Sequence, residues 1–131
     1  MNKTLTLLFA VAACLAISVI PALAHHGRGA TYDMKQTKEL KGTVTEILWR
    51  NPHIAIFMDV KDESGKVTRW AIEHSNITTL SMLGYSRTTL KPGMEVTAFV
   101  RPGSQGQPIG LCMKIVLADG KEIFQRRVGV D

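Results

Sequence analysis

His53-Ile54-Ala55-Ile56-Phe57-Met58-Asp59-Val60, then Asp62-Glu63-Ser64-Gly65, then Val67-Thr68-Arg69-Trp70-Ala71-Ile72-Glu73, is the stretch whose reading decides the fold. The first run alternates, with Ile54, Ile56, Met58 and Val60 on one face and His53, Ala55, Phe57 and Asp59 on the other. That period of two is the mark of a strand with one buried side. The return run places Trp70 and Ile72 on its apolar face. Two such runs joined by a short glycine-containing turn predict a β-hairpin.

Working outward, Leu40 to Trp49 is rich in β-branched residues and reads as a preceding strand, with Gly42 marking a bulge. Asn51-Pro52 separates it from the hairpin. After the hairpin, Ser75 or Asn76 is placed to cap a helix in which Ile77, Leu80 and Leu83 recur at helical spacing. Lys91-Pro92-Gly93 makes a turn, and Met94 to Val100 alternates again through Val96, Ala98 and Val100. Residues 101–110 are rich in Gly, Pro and Gln and read as a flexible loop. Leu111 to Leu117 is a fifth strand, and Asp119-Gly120 turns into a short last strand at 121–124. The predicted fold class is therefore mainly β. Three strands, one helix and two strands is the element order of a small five-stranded OB-like barrel, with its helix between strands 3 and 4. A β-sandwich is the alternative. The lone helix at that point favours the barrel, whose closure covers sheet edges.

Ahead of this domain, residues 1–24 read as a signal peptide. Lys3 supplies the positive start, Leu5 to Ile20 is uncharged and mostly apolar, and Ala22-Leu23-Ala24 has the small-x-small ending of a cleavage site. Cleavage before His25 leaves an N-terminal arm, 25–38, and the barrel domain, 39–131. Retention as a membrane anchor and a lipoprotein built on Cys14 are the competing readings. The predicted address is periplasmic or secreted, in a bacterium, with the membrane touched only during export.

Removing Lys3 lowers the formal charge from +5 to +4, spread along the chain apart from Arg126-Arg127. A basic balance serves nucleic acid, anionic lipid or solubility equally, and export disfavours nucleic acid. Once Cys14 is gone, Cys112 is the sole thiol and no internal disulfide can form. Its setting in an apolar run reads as structural. No Gly-x-Ser-x-Gly, His-Glu-x-x-His or phosphate-loop pattern is present, so nothing assigns an enzymatic reaction.

The histidines carry the functional reading. His25, His26, His53 and His74 are the four in the chain. After cleavage, the α-amine and imidazole of His25 can close one chelate ring, and His26, His53 or His74 can supply further nitrogens. A nitrogen-rich planar set suits Cu(II) among common metals. The hairpin brings His53 and His74 to its open end, although alternation puts an odd and an even position on opposite faces. The plain alternatives are a solvated start for His25 and His26, a ring bonded to backbone for His53, and a polar helix-entry residue in His74. Met34, Met58, Met82, Met94 and Met113 lack Met-x-x-Met clustering and read mainly as core. Trp49, Phe57 and Phe99 could stack a ligand but are commonly scattered surface aromatics.

Ala24-His25-His26, Tyr32-Asp33, Gly42-Thr43-Val44, Trp49-x-Asn51-Pro52-His53, Asp59-Val60-Lys61-Asp62, Trp70-Ala71-Ile72-Glu73 and Leu90-Lys91-Pro92-Gly93 together resemble a family of small exported bacterial proteins of unknown function. The resemblance spans residues 24–124. It implies an address and an architecture, and it favours His25, His26 and His53 over His74. The expected function is a periplasmic metal-binding protein holding a copper ion, without catalysis. A metal-free barrel that offers its face and the 101–110 loop to an envelope protein or glycan is the second reading. A copper-dependent oxidoreductase is the third.

Overall fold

The computed structural model describes residues 28–126. The predicted signal peptide, 1–24, and both His25 and His26 lie outside the described residues. The chain runs α1 (Arg28–Thr31), β1 (Lys38–Leu48), β2 (Ala55–Lys61), β3 (Val67–Glu73), α2 (Ile77–Met82), β4 (Glu95–Pro102), β5 (Ile109–Leu117) and β6 (Glu122–Ile123). Antiparallel pairing orders the strands β3-β2-β1-β4-β5-β6. A parallel contact of Ala71–Glu73 with Ile109–Leu111 then joins β3 to β5. That contact closes a five-stranded barrel with β6 as an added strand, the architecture the element order predicts.

Alternation explains the interior. Ile54, Ile56 and Met58 are fully buried, as are Ile72, Ala98 and Val100, and Trp70 and Val96 are nearly so. Each large aliphatic side chain removed from water contributes about 1.5–3 kcal/mol. Leu80 of α2 is also fully buried and joins the same cluster. The helix begins where expected, because Asn76 Oδ1 accepts from the Thr79 backbone N–H at 2.8 Å. Such a cap satisfies an N–H that has no partner within the helix. At the hairpin tip, Asp62 Oδ1 accepts from the Ser64 hydroxyl at 2.6 Å and from the Ser64 and Lys66 backbone N–H groups. The Ser64 hydroxyl, first among these, holds the Asp62 carboxyl below its usual range.

Two local expectations are revised. The irregularity in β1 falls between Val44 and Glu46, not at Gly42. Gly42 serves a close approach instead: a Cβ there would run into the carbonyl oxygen of Asp59 on β2. The 101–110 segment is shorter and more tied than a flexible loop. β4 extends to Pro102, and Gly103 N–H donates to Ile109 O at 2.9 Å. The arm is equally engaged. Ser104 N–H donates to Thr31 O at 3.0 Å, and Asp33 N–H to Pro102 O at 2.8 Å. Arg101 Nη1 donates to Gln36 O and to Thr37 Oγ1. Arm and loop thus satisfy each other's backbone groups, a long-range pairing that no local pattern displays.

Cys112 is fully buried in β5, and burial pushes its thiol up to about 12. A thiol held protonated is a poor nucleophile. The native protein should leave Ellmann-type thiol reagents untouched, with labelling appearing only in denaturant. Rapid labelling of the folded chain would contradict this burial.

Candidate functional site

The β2–β3 register sets the positions of the two structured histidines. Ala55 pairs with Glu73 and Lys61 with Val67. The ladder then runs on through His74 N–H to Ile54 O at 3.0 Å and Ile54 N–H to Ser75 O at 3.2 Å. His53 and Glu73 therefore share the outward face, and His74 turns inward with Ile54 and Ile72. The structure does not bring His53 and His74 to one site.

His74 is 1 % exposed. Its Nδ1 accepts from the Ser75 backbone N–H at 2.6 Å, and its Nε2 lies 2.8 Å from the carbonyl oxygen of Phe124. With Nδ1 accepting, Nε2 carries the proton and donates to Phe124. Both ring nitrogens meet backbone partners, and the ring lies in the core. Phe124 has φ of 52°, in the left-handed region that a bulky residue rarely adopts. Its ring packs against Tyr85 at 4.6 Å between centroids, and the His74 bond pins its carbonyl. His74 thus staples the segment after β6 to the end of β3.

His53 is different. Its side chain is 41 % exposed, and Nδ1 lies 3.1 Å from Glu73 Oε1. The other carboxylate oxygen of Glu73 accepts from the Tyr32 hydroxyl at 2.9 Å. Tyr32 itself is buried and bridges Gly103, so the arm is anchored at this point. That contact turns Nδ1 toward the carboxylate and leaves Nε2 on the far side of the ring. Protein ligands to metals commonly have this arrangement, in which a carboxylate fixes the tautomer and the ring orientation. The Asn-Pro-His segment is held at its start too. Asn51 Oδ1 accepts from the Ile77 backbone N–H at 3.2 Å, tying the β1–β2 connection to α2.

Neither Tyr32 nor Glu73 was singled out as a site residue from the sequence. Both stood in quoted motifs, and a pairing across 41 positions gives no local signal. Among the described residues, no group of three or more His, Cys, Asp or Glu side chains is arranged to hold a metal ion. His53 would need nitrogens from outside that set. The aromatic candidates are covered by cations: Arg69 lies 4.9 Å from the Phe57 ring centre and Lys114 Nζ 4.9 Å from that of Phe99. Trp49 packs partly against the core. Of the methionines, Met58 is core, whereas Met34 and Met82 are exposed.

Fold and site define a class: a closed five-stranded OB-like barrel whose N-terminal arm is docked beside a carboxylate-held histidine. The chain belongs to a family of unknown function (DUF6152), whose model matches residues 12–113. No curated protein matches it.

Proposed function

We propose that the chain is exported, loses residues 1–24, and binds one Cu(II) ion through the α-amine and imidazole of His25, with His26 and His53 as further ligands. The observation that carries this reading is the His53 Nδ1 contact with Glu73 at 3.1 Å. It sets aside one ring nitrogen and leaves the other as a donor. Tyr32 supports the reading from the arm. It is seven residues after His25 and hydrogen-bonds the same carboxylate. Seven residues span at most about 25 Å, so the start of the processed chain is tethered within reach of His53. Cu(II) is the chosen ion because an amine with imidazoles forms a nitrogen set suited to tetragonal geometry.

Calorimetric titration of correctly processed protein should give one Cu(II) per chain. His25→Ala and His53→Ala should each weaken binding by more than the ~10–100-fold that an outer partner of a ligand is worth. One extra residue ahead of His25 keeps every side chain and abolishes the free amine, so it should weaken binding comparably. Binding should also weaken on acidification, because ligand nitrogens must give up their protons to bind the metal. Unchanged affinity on blocking the His25 amine would end the proposal.

A further inference from the structure

A second site is written in the outer surface of the barrel. A cleft of about 490 Å³ crosses β2, β1, β4 and β5, and it shares no residue with the His53–Glu73–Tyr32 contact. Thr43 pairs with Asp59 on one side and Glu95 on the other, so two carboxylates flank β1 in one cross-strand row. Arg69, opposite Asp59 on β3, is held by Glu46 at 2.7 Å. One step beyond the Gly42–Val60 pair, Lys41 and Lys61 come alongside each other on the same face. Lys41 and Lys61 thus face each other directly, and like charges so placed across strands are destabilising unless something neutralises them. The protein does little of this itself. Lys41 reaches only Glu39, at 3.3 Å and largely exposed, and among the described residues Asp59, Lys61 and Glu95 make no ion pair. Elsewhere Glu46, Glu73 and Glu122 each hold a basic side chain.

We propose that this cleft binds a zwitterion of dipeptide size, with its carboxylate between Lys41 and Lys61 and its ammonium against Asp59 and Glu95. The two rows are two residues apart along β1, about 6.6–6.8 Å. The termini of an extended dipeptide are separated by a similar ~6.6–7.2 Å. The half-buried Val116, opposite Thr97, lines the β5 side and provides an apolar contact for a ligand side chain. A few convergent charges against an apolar wall is the usual composition of a small-molecule site. Like-charged pairs on each row and opposite charges between rows select a molecule with both signs, and disfavour a simple anion or cation.

The test is an amide-resolved NMR titration of the exported chain with the dipeptide Ala-Leu. Shifts confined to residues around 41–43, 59–61 and 95–97, with Kd at or below ~1 mM, are expected. N-acetyl-Ala-Leu and Ala-Leu-amide should each bind at least ~10-fold more weakly, as should Ala-Leu to Lys61→Gln and Glu95→Gln. Lys61 and Glu95 are exposed, so an unchanged thermal midpoint will show that these variants remain folded. The proposal is overturned by the absence of shifts at ~10 mM dipeptide, by shifts mapping elsewhere, or by acetylated peptide binding as well as the free one. Copper loading is irrelevant to every arm, so failure here leaves the metal reading untouched.

Discussion

Replacing His74 with leucine should cost the protein about 3 kcal/mol or more, read as a lower urea midpoint with little change in slope. Leucine fills most of the volume, so the loss is chiefly polar. It strands the Ser75 backbone N–H and the Phe124 carbonyl, both held by the imidazole in a fully buried setting. An unsatisfied buried backbone group costs about 1–3 kcal/mol, and here there are two. The Phe124 backbone adds to the cost. Its positive φ persists only while neighbours over-determine it, and the carbonyl contact is one of those restraints. For a domain of this size, ~1 kcal/mol moves the thermal midpoint by about 4–8 °C, so a drop beyond 10 °C is expected. Copper titration at a temperature where the variant is folded should match wild type. A loss under ~1 kcal/mol would contradict this core role, and a specific loss of copper from a fully folded variant would make His74 a ligand.

Exchanging Glu73 for glutamine should lower Cu(II) affinity by ~10–100-fold while leaving the barrel folded. Glutamine keeps the length of the side chain but replaces the carboxylate that holds His53 Nδ1 and accepts from Tyr32. The amide oxygen can still meet one of them. Its NH₂ end is a donor that can meet the Tyr32 hydroxyl oxygen or an accepting His53 Nδ1, but the negative charge is gone. His53 then loses the charged partner that fixes its tautomer and raises its basicity as a ligand. The site is partly exposed, so the stability change should stay within about 1 kcal/mol, well below that of His74→Leu. Tyr32→Phe removes the arm's hydroxyl and leaves the His53 contact. It should give a smaller affinity loss with the same sign. Equal affinities for wild type and Glu73→Gln would mean that the carboxylate does not position a ligand.

The architecture was legible because hydrophobic alternation and turn chemistry are local. Ile54, Ile56, Met58 and Ile72 announce their buried face by spacing alone, and Asn76 announces a helix start by residue type. The candidate site was half legible. His53 stood out as a histidine after Asn-Pro, and alternation already cast doubt on its meeting His74. What no local pattern carries is a partner far along the chain. The Glu73 bond to Tyr32 and the pairing of the arm with the 101–110 segment exist only after the barrel closes.

The sequence by itself determined a hairpin, the order of elements along the chain and a helix position, because periodicity and capping act between neighbours in the chain. Tertiary structure alone decided that His74 belongs to the core and His53 to a surface contact. One residue of register sends a side chain to the opposite face of a strand, and which backbone groups await it there depends on segments 50 positions away.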